Sequence, residues 1–128
     1  MQYDEFVGQV QHRAHLPDTG HAVKSARAFL QTLGERLQQG ERDDLASQLP
    51  EEVAHYLAEG DGEVKYDLND FYQKVSEREG SELQDAIHHS KAVMSVLRDA
   101  VSIGELKDMD TQLPPEFADL FERQWQES

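Results

Sequence analysis

The chain has 128 residues, no cysteine, and a formal net charge of −14 from 12 Lys and Arg against 26 Asp and Glu. That length supports one domain whose core needs no disulfide or structural metal, and the missing cysteines exclude a disulfide framework, a thiolate nucleophile and Cys-based zinc or iron–sulfur sites. The charge argues against nucleic acid and anionic lipid as partners.

No apolar run approaches the ~20 residues of a spanning helix, and Met1–Phe6 lacks the basic and apolar regions of a signal peptide. The expected location is cytoplasmic. The acidity is read first as solubility; the sharper readings are an acidic face for a basic partner and divalent-cation binding. Residues 1–64 and 65–128 each carry −7, so neither half is an acidic tail.

The first predicted element is a helix from Tyr3 to Arg13, with Phe6, Val7, Val10 and Ala14 at helical spacing. A turn follows at Leu16–Gly20, where Asp18 or Thr19 caps the next helix. That helix runs from about Gly20 to Gln38 on a stripe of Ala22, Val23, Ala26, Phe29, Leu30, Leu33 and Leu37, and Gly40 is expected to stop it. A short helix over Arg42–Gln48 leads into Leu49-Pro50-Glu51-Glu52. The last helix of the unit, Pro50 to Glu59, carries Val53, Tyr56 and Leu57. Pro is accepted at a helix start because its missing N–H would be unpaired there. Gly60-Asp61-Gly62-Glu63 breaks the periodicity and reads as a linker.

The second half repeats the first. Glu5–Arg13 aligns with Asp70–Arg78, and Ala22–Leu57 overlays Ala86–Phe121 without a gap at an offset of 64, with eleven identities in thirty-six positions. They include Leu33/Leu97, Gly40/Gly104, Glu41/Glu105, Gln48/Gln112, Leu49/Leu113 and Pro50/Pro114. This is a tandem duplication of a unit of roughly sixty residues. Its second copy is expected to contain a helix from a Ser81 cap to about Ser102, striped by Leu83, Ala86, Ile87, Val93, Met94, Leu97 and Val101 and stopped by Gly104. Helices over Leu106–Gln112 and Pro114–Trp125 complete it. No segment alternates as a strand does. The fold class is therefore all-α: a single domain over 1–128, with repeats 3–59 and 68–125 packed about a pseudo-twofold axis and about eight helices.

The chemistry-bearing patterns are weak. Gln-Leu-Pro-x-Glu occurs at Gln48 and Gln112 and reads as a helix boundary, with a pair of related ligand sites as the sharper alternative. Of His12, His15, His21, His55, His88 and His89, only His12 and His15 are three apart as two metal ligands on one helix can be, but His15 falls where that helix should end. Adjacent His88 and His89 diverge by about 100° on a helix, and a solvated or interface role is read ahead of metal binding. Glu51-Glu52 and Asp43-Asp44 are adjacent acids, and no spacing reveals a buried, pKa-shifted carboxylate. There is no phosphate loop, nucleophile elbow or EF-hand. Phe117, Leu120, Phe121 and Trp125 are expected to close the core over the seam between the repeats rather than anchor a partner.

The Phe-x-x-x-Val opening at Phe6 and Phe71, the Ala-x-x-x-Leu stripe, the Gly-Glu turn and Leu-x-x-Gln-Leu-Pro-x-Glu over Leu45–Glu52 together resemble the bacterial and archaeal family called domain of unknown function 2267. Met109 replaces the motif's leucine in the second half. The resemblance covers nearly the whole chain and implies a duplicated helical protein, with no activity and no functional residues to carry over.

The expected function is a non-catalytic protein-interaction or adaptor module with an unidentified protein partner, a homodimer being one arrangement open to it. The alternative is a small-molecule or metal-ion binding protein using the inter-repeat cleft. No catalytic, cofactor-binding or metal-ligating residue is singled out, and no cofactor is expected.

Overall fold

The same order of helices occurs twice. In the computed structural model, which describes residues 1–121, the first half holds α1 (Tyr3–Arg13), α2 (Thr19–Arg36), α3 (Gln39–Ala46) and α4 (Glu51–Ala58). The second holds α5 (Leu68–Glu79), α6 (Leu83–Ala100), α7 (Ile103–Thr111), a 3-10 turn (Pro115–Phe117) and α8 (Ala118–Phe121). No strand occurs among the described residues. The expected all-α, duplicated architecture is the one observed.

Local chemistry explains several boundaries. Asp18, rather than Thr19, caps α2, accepting the His21 N–H at 2.8 Å. Asp67 caps α5 in the same way through Asp70, and Ser102 caps α7 through Glu105. Gly80 closes α5 at φ 71°, the left-handed conformation glycine adopts without a Cβ penalty.

Other boundaries differ from expectation. Gly40 and Gly104 do not stop the long helices; both lie inside the first turn of the next helix, and neither adopts positive φ. The long helices end earlier, at Arg36 and Ala100, because Leu37 and Val101 are extended (ψ 153° and 165°) and redirect the chain. Leu37 is fully buried, which anchors that bend. The third helices therefore begin about three residues earlier than read. Ser81 is not a cap: Glu82 holds that position, and the Ser81 hydroxyl bonds Glu79. Leu83, first in its expected stripe, is exposed, and Leu49 is only half-buried while its equivalent Leu113 is buried.

The halves interlock. α1 packs on α6, α2 on both α5 and α6, and α3 on α7, across a pseudo-twofold axis. Phe71 of the second half lies edge-on to Phe29 of the first at 5.6 Å and to Phe117 at 5.7 Å, in an arrangement favourable to the ring quadrupoles. With Leu30, Leu33, Met94 and Leu97, these rings fill the seam with apolar atoms. Because α2 is covered by helices of both halves, it also buries Ser25, Ala28, Thr32 and Gly34, outside its expected stripe.

The segment after α4 is not helical, as expected, but it is not a free spacer. Gly60 is buried. The Val64 N–H donates to Glu35 O at 2.7 Å, Arg36 Nε to Tyr66 O at 2.8 Å, and the Tyr66 hydroxyl to Glu35 Oε1 at 2.7 Å.

Candidate functional site

The strongest polar convergence lies where α3 of one repeat meets α7 of the other. The repeated glutamine supplies the crossing bonds. Gln48 Oε1 accepts the Ser102 N–H at 2.8 Å, and Gln112 Oε1 accepts the Gln38 N–H at 3.3 Å. Gln38 and Ser102 are themselves equivalent and are the N-cap residues of α3 and α7. Each motif glutamine thus satisfies a free backbone donor at a helix start in the opposite repeat. Local reading of Gln-Leu-Pro-x-Glu missed this cross-repeat role. The prolines take the N-cap position of α4 and of the 3-10 turn, while Glu116 accepts the Leu68 N–H at the start of α5 at 2.9 Å.

Between those bonds lie Glu41 and Glu105, each only 7% exposed. Their carboxyls are within hydrogen-bonding reach of each other, and Gln112 Nε2 donates to Glu41 Oε1 at 3.3 Å. The Oε2 atoms of both are buried with no hydrogen-bond partner. Burial pushes the Glu41 carboxyl up to about 8, helped by its hydrogen bond to Glu105 and by the charges of Glu105, Asp108 and Asp44. The pair was not singled out in the sequence, where acids are abundant. Its signal is the identity of Glu41 and Glu105 within the duplication.

A second buried cluster joins α2, α5 and α6. Ser25 Oγ donates to Glu79 Oε2, Ser81 Oγ to Glu79 Oε1 at 2.5 Å, and His89 Nδ1 lies 2.8 Å from Glu79 Oε2. Ser25 and His89 occupy equivalent positions of the two repeats. The carboxylate binds both of them, so the serine does not face the imidazole as a nucleophile faces its base. The arrangement ties three helices together and is not a hydrolytic triad.

The histidines do not all scatter: His15 of the first repeat and adjacent His88 and His89 of the second come together, with His88 and His89 ring centroids 5.8 Å apart. His88 stacks on His15 with ring centroids 5.9 Å apart, while His89 turns to Glu79. His21 pairs with Asp18 at 2.7 Å. Among the described residues, no group of three or more His, Cys, Asp or Glu is placed to hold a metal ion.

Two of the surface recesses among the described residues adjoin charged side chains. One, about 470 Å³, includes Lys24, Arg27 and Arg78. Glu59 already holds Arg27 at 2.6 Å, and Glu35 holds Arg78 at 2.8 Å. The other, about 690 Å³, is formed by Ala46, Ala54, Tyr56 and Ala58 with Glu51, Glu52 and His55. The Tyr56 hydroxyl in its wall is bonded to that of Tyr3 at 3.0 Å; this bond, with burial, pushes Tyr3 up to about 12. Glu51 and Glu52 are exposed, and so are Asp43 and Asp44. Phe117, Leu120 and Phe121 are buried in the core as expected, and Trp125 lies outside the described residues.

These features define a duplicated, all-helical protein with an apolar seam and polar clusters that bond across it. The chain belongs to the uncharacterized conserved protein family DUF2267, whose family model matches residues 3–120. A search of curated proteins finds no match. No helix among the described residues is long and apolar enough to cross a membrane.

Proposed function

We propose that this protein is a non-catalytic interaction module that receives a basic, amphipathic helical segment of a partner protein on the α3–α4 face. The observation carrying this reading is the recess of about 690 Å³ there, whose alanine and tyrosine walls adjoin Glu51 and Glu52. An apolar floor takes the partner's apolar stripe, and the acidic groups take its Lys and Arg. The chain's net charge of −14 gives long-range attraction for the same partner. The seam between the repeats offers less to a ligand, since Phe29, Phe71, Leu33 and Leu97 fill it.

The test is fluorescence anisotropy with a labelled Leu/Lys amphipathic helical peptide and its Leu/Glu counterpart. The Leu/Lys peptide should bind and the Leu/Glu peptide should not. Replacing Glu51 and Glu52 together by Lys should weaken binding by at least roughly tenfold, about 1.4 kcal/mol. Equal binding of both peptides, or an unchanged affinity in the doubly substituted protein, would refute this site. Sedimentation in the same buffer tests the homodimer, in which a second copy would occupy this face instead.

A further inference from the structure

We propose that Glu41 and Glu105 form an acid–carboxylate dyad that holds one proton across the pseudo-twofold axis and so latches α3 of one repeat to α7 of the other. The geometry carries this. The two residues are equivalents in the duplication, and both are nine-tenths buried. Their carboxyls reach each other, and the Oε2 atom of each is buried with no hydrogen-bond partner. A carboxylate oxygen only accepts, so two ionised carboxylates here would place lone pairs against lone pairs in a poorly solvated site. One proton turns that repulsion into a charge-assisted hydrogen bond. The same logic makes paired carboxylates share a proton wherever they meet.

The surroundings favour the proton. The charged groups acting most strongly on Glu41 are Asp44 from its own helix and Glu105 and Asp108 from α7, all acidic, while Asp43 of α3 and Lys107 of α7 are exposed. α4, which also packs on α3, carries Glu51, Glu52 and His55, with Glu59 as its C-cap. Glu51, Glu52 and His55 are exposed, and Glu59 is paired with Arg27. The one cation on α3, Arg42, is directed instead to the carbonyls of Gly34, Gly60 and Gly62. Gln112 gives Glu41 Oε1 one N–H, which the carbonyl oxygen of a protonated carboxyl accepts while its hydroxyl turns to Glu105. The upward shift of Glu41 to about 8 agrees with this picture and sets its range.

The direction of the pH effect follows. Between the ordinary carboxylate range and about pH 8 the folded protein holds a proton that the unfolded chain has released. The latch therefore contributes fully at the acid end of that window. Its contribution falls as pH rises and is gone above about 8. One extra proton on the folded state changes the unfolding equilibrium tenfold per pH unit.

The test uses the full chain. Urea denaturation is measured from pH 5 to 9 for the wild type, Glu41→Gln and Glu105→Gln. An amide donates permanently to the remaining carboxylate, so the variants should lose the tenfold-per-unit component between pH 5 and 8. Infrared spectroscopy of the folded wild type at pH 7 should show a protonated carboxyl band that disappears above pH 9; this reading stands even if a variant fails to fold. Parallel pH profiles of wild type and variants, or no protonated carboxyl at pH 7, would overturn the latch. So would wild-type stability at pH 7 that rises with calcium or magnesium and loses that response in Glu41→Gln, which would give the seat to a cation.

Discussion

Gly34 and Gly60 bring α2 and the chain leaving α4 backbone to backbone. A Cβ added to Gly60 would stand 2.6 Å from Glu35 N and 2.8 Å from Gly34 C, and one added to Gly34 would stand 3.3 Å from the Gly60 Cα. These neighbours are main-chain atoms and cannot rotate away. Replacing Gly60 by Ala should therefore destabilise the protein by roughly 1–3 kcal/mol, the usual range for overpacking. Gly40 is the contrast: it lies inside α3 with nothing within 4 Å of an added Cβ. Gly40→Ala should stabilise by up to about 1 kcal/mol through helix propensity. Urea denaturation midpoints of the two variants should move in opposite directions; a shift of the same sign would contradict the packing.

Arg42 secures the same junction. Its Nη1 donates to Gly34 O at 2.7 Å and to Gly60 O and Gly62 O at 3.0 Å each. A cation near the last turn of α2 also opposes the negative end of that helix. Arg42→Ala should cost about 1–3 kcal/mol, since part-buried carbonyls lose their donor. Faster amide exchange should appear first at Val64, whose N–H bonds the end of α2. Exchange unchanged there would show that the guanidinium is dispensable.

The repeat, the helical class and most of the core were legible because each depends on local spacing or on comparing one half with the other. Phe6, Val10, Leu30, Leu33 and Leu97 are buried as their periodicity required. The ends of the long helices were not legible. A glycine terminates a helix through left-handed φ, and nothing in the bare spacing of Gly40 and Gly104 distinguishes a terminator from a first-turn residue. The polar junction was hidden for a different reason. Gln48 and Gln112 have sufficient local explanations at a helix boundary, whereas their partners, Ser102 and Gln38, lie across the axis. Glu41 and Glu105 carried a visible mark, identity at an offset of 64. Their meeting depends on how the third helices pack, and sequence spacing does not report that.

The Glu35–Arg78 pair predicts an acid-side effect. Burial raises the Glu35 carboxyl, but the hydrogen bonds from Arg78 and Tyr66 and the Arg78 charge outweigh it, leaving the group below its ordinary value. Arg78 contacts both carboxylate oxygens at 2.8 Å. A depressed carboxyl contributes stability at pH values above its unfolded range and loses it as pH falls through its folded value. The wild type should therefore lose stability below about pH 4.5 more steeply than Glu35→Gln, whose amide does not titrate. Acid titrations of the two proteins followed by circular dichroism check this; parallel curves would remove the pair from the account of acid unfolding.

The interlocked halves predict one cooperative unit. A helical segment of about sixty residues buries only ~60% of its unfolded surface and is marginal alone. Here the deficit is specific: α1 would lose α6, α2 would lose both α5 and α6, and Phe29 would lose Phe71. The bonds from Gln48 to Ser102 and from Gln112 to Gln38 would go as well. The full chain should therefore melt in a single two-state transition, seen at the same temperature by far-ultraviolet circular dichroism and by tyrosine fluorescence. Residues 1–64 produced alone should be largely unfolded as a monomer, or should pair with a second copy, since the missing half is a variant of the one present. Sedimentation separates those two results, and concentration-dependent melting accompanies the second. A monomeric fragment that melts cooperatively near the temperature of the full chain would show that each repeat folds on its own. The contacts across the axis would then join finished domains rather than complete a shared core.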